Sequence, residues 1–350
     1  MPAVPLDVQL MVITLVYRES QHSTVDYQTL RACSLVCRAW TQPAQRLLFR
    51  RIPNIFYDNA TRLPHIHRLL RALRTSPHLA SYVCSVKLFM VFQSDAQKDS
   101  PSIALLSLCT NVQSVFLYCG VRLGWVALER HLRAFPVHPV ALKIIGESSF
   151  VKNIIPLWPA LRVLDVHLHD EPNRGVISVP RTVRSLSVSR DCSRAIIWYN
   201  HMQLSELTLK PPYWSGHEAW LPPLLLSGVL RQLRSLTIEG GVPPQEFLDQ
   251  LTQLQSLVVT SLPDREVSLP QSIRHIGYHC TVDGGGGSIR QMGDFPGKVR
   301  TLENLQLVTV TPHVPEKVRT ALAETCGVRG VEFIVCECGL FPWTRNVDWI

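Results

Sequence analysis

The sequence predicts an α/β chain, a small N-terminal module of three helices followed by an irregular solenoid of strand-bearing repeats. Three observations predict it. The first fifty residues carry apolar side chains at helical spacing, more than so short a segment can bury by itself. From Val83 onward an apolar-x-x-apolar-x-apolar pattern returns every 19 to 29 residues. The 350 residues are 46 % apolar and 18 % charged, the balance of a chain that buries a core.

Pro5 suits the first turn of a helix, where its missing N–H costs nothing. Leu6, Leu10, Ile13 and Tyr17 then share one helical face, and Val8, Met11, Val12, Leu15 and Val16 make the other sides apolar too. Such a helix needs cover on more than one side. Asp26 is placed to cap the next helix. Leu30, Cys33, Cys37 and Trp40 recur at i, i+3, i+7 and i+10, again one face. Pro43 breaks the pattern, and a last short helix carries Leu47, Leu48 and Phe49. The apolar surface left over marks an interface; packing on the rest of the chain is the competing expectation.

The clear copies of the repeat are Val83-Val86-Leu88, Val112-Val115-Leu117, Leu161-Leu164-Val166, Val183-Leu186-Val188, Leu204-Leu207-Leu209, Leu233-Leu236-Ile238 and Leu254-Leu257-Val259. Weaker ones are Pro139-Leu142-Ile144, Ile273-Ile276-Tyr278, Leu302-Leu305-Leu307 and Val328-Val331-Phe333. The alternating part is a strand with its apolar residues inward. The intervening residues return to cover the other side, and each unit buries its face against its neighbours. Helices are expected at Leu63–Arg74, Trp125–Ala134, Leu221–Leu230, Gln245–Leu254 and Pro315–Cys326. The first is basic and amphipathic and reads as a linker that caps the array. The organisation is then 1–52 helical module, 53–80 linker and capping helix, 81–350 solenoid.

Charge narrows the partners. The net charge is +8, but residues 1–80 hold ten arginines, no lysine and four acids, a balance of +6. Residues 81–350 carry 25 basic and 23 acidic residues, which does not support a nucleic-acid groove. Ten cysteines are scattered with no C-x-x-C pair, so they read as reduced core residues rather than zinc ligands. No apolar run is long enough for a membrane span, and the N-terminus has no basic signal-peptide region. The expected compartment is cytoplasmic and/or nuclear, with no membrane partner.

Asp165, His167 and His169 alternate along one strand and share a face. That geometry could hold a metal, but a solvated or hydrogen-bonded polar face is the reading taken, with no metal. Residues between the apolar strand positions, among them Phe116, Tyr118, Asp165, His167, His169 and Lys210, should line the surface that repeat proteins use for binding. Their mixed chemistry suits a protein target. Tyr213 and Trp214, in a proline- and aromatic-rich loop that interrupts the period, are candidate anchors for the same target. The glycine run at Gly284–Gly287 lacks the lysine and serine or threonine of a phosphate-binding loop. No G-x-S-x-G or H-E-x-x-H occurs, and the chain reads as a non-enzyme without cofactor.

Val4-Pro5-x-Asp7-Val8, then Val12-Ile13, Leu30, Ser34-x-Val36-Cys37-Arg38-x-Trp40 and Leu48-Phe49-Arg50 resemble an F-box over about residues 2–52. Val4 replaces the family's usual leucine. The repeats resemble degenerate leucine-rich repeats without their usual asparagine or cysteine, and the two together resemble the fungal F-box-like family. The resemblance implies that the module binds a Skp-type adaptor, and through it a cullin, with Pro5, Leu6, Ile13, Leu30, Leu35, Val36, Cys37 and Trp40 as adaptor contacts. It implies a substrate-recognition subunit of a ubiquitin ligase whose repeats hold a target protein. The alternative is a leucine-rich-repeat interaction scaffold not coupled to ubiquitination.

Overall fold

The computed structural model describes residues 5–19, 26–55, 63–90, 101–119, 129, 132–133, 137–169, 176–189, 196–197, 203–210, 221–239, 244–260, 267–278 and 295–336. The chain forms two compact units that divide between Ile144 and Ile145.

The first unit begins with α1 (Leu6–Glu19), which starts directly after Pro5. Asp26 caps α2 (Tyr27–Val36) as its position predicts. Its Oδ2 accepts from the Thr29 hydroxyl at 2.5 Å and its Oδ1 from the Thr29 N–H at 2.9 Å. These two bonds, the hydroxyl's foremost, hold the Asp26 carboxyl below its usual pKa. The second helix is shorter than its periodicity predicts. Cys37 is extended (φ −161°, ψ 166°), ending α2 and opening α3 (Arg38–Arg50). Trp40 therefore stands on a different helix from Leu30 and Cys33. Pro43 does not separate a further helix either, because α3 continues through it at the cost of one backbone donor. The Thr41 hydroxyl donates to the carbonyls of Ser34 (3.0 Å) and Cys37 (3.1 Å), fastening the corner between α2 and α3. The three helices share a small core of Ile13, Leu30, Cys33 and Ala44, with Trp40, Leu47 and Leu48 packed on it.

α3 runs directly into β1 (Arg51–Ile55). α4 (Leu63–Thr75) buries Ile66, Leu70 and Leu73 and exposes Arg68, Arg71 and Arg74, the amphipathic division expected of it. It packs on α5 (Pro77–Ser81) and α6 (Pro101–Leu108). α3 meets α5's end through Tyr82, whose hydroxyl accepts from Gln42 Nε2 at 3.4 Å and whose ring lies 5.4 Å from the Arg46 guanidinium. β2 (Ser85–Met90), β3 (Ser114–Cys119) and β4 (Ala141–Gly146) complete the unit's strands. Val86 and Leu88 stand in register with Val115 and Leu117, all buried. The helix expected at Trp125–Ala134 falls almost wholly outside the described residues.

The second unit contains α7 (Ser148–Ile154), β5 (Val163–Leu168), β6 (Ile177–Ser178), β7 (Ser185–Ser189), β8 (Ile196–Ile197) and β9 (Glu206–Lys210). It continues with α8 (Leu221–Leu226), β10 (Ser235–Ile238), α9 (Gln245–Asp249), β11 (Ser256–Val259) and β12 (His275–Tyr278). It closes with α10 (Phe295–Thr301), β13 (Leu307–Val310), α11 (Glu316–Arg329) and β14 (Glu332–Val335). β6 and β8 form a separate two-stranded ladder. Within each unit the other described strands are parallel and follow the order of the chain. The core of this unit is two rows across the strands. Leu164, Leu186, Leu207, Leu236, Leu257, Ile276 and Val308 make one; Val166, Val188, Leu209, Ile238, Val259, Tyr278 and Val310 make the other. All are buried, each worth about 1.5–3 kcal/mol of transfer free energy.

The last two repeats differ from the sequence pattern. Leu302-Leu305-Leu307 is displaced by three residues. The pairing places Val308 and Val310 inward, with Leu305 before them, and leaves Leu307 and Thr309 on the other face. In β14 the register partners of Val308 and Val310 are Phe333 and Val335. Val328 lies in α11 and is 89 % exposed, because the helix runs past Cys326 to a left-handed cap at Gly330 (φ 67°). Two other expected helices are shorter: Leu221–Leu230 divides into α8 and a 3-10 turn at Val229–Gln232, and the one from Gln245 stops at Asp249. Among the described residues no helix is long and apolar enough to cross a membrane.

Candidate functional site

The N-terminal module presents apolar side chains it cannot bury. Leu35 is 79 % and Val36 63 % exposed at the end of α2, and Met11 is 57 % exposed on α1. Val8, Leu10 and Val12 add further apolar surface to α1, and Pro5 and Cys37 are exposed. α2 stops at Cys37, and Leu35 and Val36 sit in its last turn, off the face that Leu30 and Cys33 bury. Ile13 and Leu30 are corrected as contacts: both are enclosed in the module core and offer no surface. Trp40 is half-buried against the same core, and the Leu6 side chain lies outside the described residues. Met11 belongs with the exposed group although the adaptor contacts implied by resemblance omit it. Its signal was a first helix apolar on every side.

On the strands of the first unit, Phe116 and Tyr118 point away from the core, as their alternation with Val115, Leu117 and Cys119 requires. Lys87 Nζ lies 4.7 Å from the Phe116 ring centroid and Lys143 Nζ 5.8 Å. Burial, and then the charge of Lys143, lower the pKa of Lys87.

In the second unit, Asp165, His167 and His169 do share a face, with graded exposure. His169 is exposed, His167 half-buried and Asp165 buried. Asp165 Oδ1 is 3.0 Å from His167 Nε2, close enough for an ion pair when the ring is protonated but not aligned as a hydrogen bond. Among the described residues no group of three His, Cys, Asp or Glu side chains is arranged to hold a metal. Ser187, Thr208 and Thr237 form a half-buried hydroxyl row across β7, β9 and β10. Beyond it Lys210 Nζ stands 3.9 Å from Glu239 Oε1. Tyr213 and Trp214 lie outside the described residues.

Sequence reasoning missed a buried polar chain on the same strands. Ser256 Oγ is 2.9 Å from His275 Nδ1, and His275 Nε2 is 3.0 Å from Thr309 Oγ1. Burial pushes the His275 pKa down to about 3, so the ring is a neutral hydrogen-bonding bridge and a poor base near neutrality. Burial also raises the Cys109 thiol to about 12, which keeps it protonated. The Ser256–His275–Thr309 chain ties three strands together; among the described residues the apolar corner of the module and the polar strand faces are open to another molecule. No protein-family model matches the sequence, and no curated protein matches it.

Proposed function

We propose that this chain is the substrate-recognition subunit of a Skp–cullin–F-box type ubiquitin ligase. The N-terminal module is an F-box that docks a Skp-type adaptor, and the strand-bearing repeats are a degenerate leucine-rich-repeat solenoid that holds a target protein. The observation that carries this is the module's division of labour. Four residues make its core, while Leu35, Val36 and Met11 stand mostly exposed beside it. An apolar patch of that kind on so small a module is what a partner covers, and it falls in the run that resembles the F-box. The chain acts by proximity: a target held near a charged ubiquitin-conjugating enzyme gains effective concentration. Bond making belongs to the partners.

Co-expression of the tagged full chain with a Skp-type adaptor is the test. A stoichiometric complex that also captures a cullin supports the reading. A monomeric, soluble chain that leaves the adaptor in the flow-through overturns it and leaves the uncoupled scaffold in its place.

A further inference from the structure

α4 carries a face of one sign. Ile66, Leu70 and Leu73 are buried, and the helix packs on α5 and α6. Arg68, Arg71 and Arg74 are exposed. No Asp or Glu occurs between residues 59 and 94. Among the described residues none of the three guanidinium groups has a hydrogen bond, an ion pair or a ring contact. Other arginines are occupied: Arg46 lies over Tyr82, Arg133 pairs with Glu129, and Arg329 donates to the carbonyls of Val299 and Leu302. The exposed charges of α11, by contrast, are Glu316, Lys317 and Glu324, of both signs. Like charges one turn apart repel, so α4 bears a small cost that a single glutamate would remove. The kind of cation points the same way. Residues 1–80 contain ten arginines and no lysine. Lysine would serve a solvated face equally well, whereas the arginine fork grips a carboxylate through two parallel hydrogen bonds and is the basic residue enriched at interfaces.

We propose that the exposed face of α4 docks an acidic helix of a partner protein, its carboxylates three or four residues apart and received by Arg68, Arg71 and Arg74. This surface is separate from the apolar corner of the module and does not depend on adaptor docking. A helix fits because side chains one turn apart are neighbours, about 5–6 Å between Cβ atoms, so carboxylates and arginines repeat at the same interval. A lipid surface fits less well, since α5 and α6 cover the apolar side of α4 and leave nothing to enter a bilayer. A nucleic acid fits less well too. Arg68 to Arg74 spans only about 9 Å of helix, and α4 has no Phe, Tyr or Trp on which a base could stack.

The probe is a fluorescent alanine–glutamine helical peptide with three glutamates at three- and four-residue spacing. Its control sets the same glutamates five residues apart, which spreads them around the helix. Both are titrated into the full-length chain by polarisation at low salt. The one-faced peptide is expected to bind more tightly, and more weakly as salt rises. R68Q/R71Q/R74Q should lower its affinity about tenfold. R181Q/R184Q/R234Q removes as many exposed arginines from the second unit and should leave it unchanged. Equal binding of the two peptides, equal loss in both variants, or no binding to the natural chain overturns the proposal. Duplex RNA and phosphatidylserine vesicles are run beside the peptides. If R68Q/R71Q/R74Q weakens binding to either of these and leaves peptide binding intact, the acidic helix is the wrong partner and the proposal falls.

Discussion

Replacing Leu35 and Val36 together by aspartate should abolish adaptor capture while the chain stays folded. Both side chains are mostly exposed, so the free chain loses little apolar burial. Its main cost is local. Aspartate is a poorer helix former than leucine, and a carboxylate in the last turn of α2 opposes the helix dipole. Together these come to about 1 kcal/mol. In the complex the same two side chains are covered, and each contributes about 1.5–3 kcal/mol. Their loss removes about 3–6 kcal/mol, or roughly two to four orders of magnitude in Kd. Leu30→Ala is the contrasting variant. Leu30 is fully enclosed, and its truncation should destabilise the module by about 2–5 kcal/mol. Calorimetric titration with the adaptor and thermal unfolding, run on both variants, separate the two effects. Adaptor binding by L35D/V36D within tenfold of the natural chain would refute the docking surface. A fall in its melting temperature as large as that of Leu30→Ala would refute the exposure from which the numbers are built.

Three further outcomes follow from the second unit and from its strand register. Leu236→Ala, in the middle of the leucine row, should cost about 2–5 kcal/mol in urea unfolding, whereas Leu226→Ala, 84 % exposed, should stay within about 0.5 kcal/mol. Val308→Ala should destabilise by about 1–3 kcal/mol and by more than Leu307→Ala; the reverse order would restore the register that the leucine pattern suggests. His275 is depressed from 6.5 to about 3 in the folded chain, so its contribution is complete above about pH 6.5 and is lost as the unfolded chain takes up the proton between there and pH 3. His275→Gln should flatten that part of the stability curve, by at most a few kcal/mol, and an unchanged slope would show that His275 is not responsible.

Much of the architecture was legible because the strand pattern repeats with a constant internal spacing. Seven consecutive copies from Val83 to Leu233 and the one at Leu254 place their inward residues where the structure does. The capping of α2 was legible because Asp26 and Thr29 stand at the spacing a cap requires. The C-terminal register was not, since Leu302-Leu305-Leu307 and Leu305-Val308-Val310 satisfy one template three residues apart. Strand pairing decides between them, burying two β-branched residues and turning Thr309 toward His275. The corner at Cys37 was hidden for a different reason. Neither glycine nor proline marks it, and Leu30, Cys33, Cys37 and Trp40 are spaced as on an unbroken helix. Ile13 and Leu30, two expected contacts, are enclosed in the module core, and Leu35 and Val36 lie off the face that Leu30 and Cys33 bury. Side-chain periodicity reports which residues are apolar. It does not report where the backbone turns.

Among the described residues of the second unit, each strand of the main sheet pairs with the strands before and after it in that sheet's chain order. A strand with its return segment can be duplicated or deleted, and the strands on either side still meet a partner of the same kind. Breadth of the polar face is therefore a quantity that gene duplication changes in steps, while the helical corner at the N-terminus is left alone. A lineage carrying such chains can vary the breadth of that face in steps and leave the N-terminal helices unchanged.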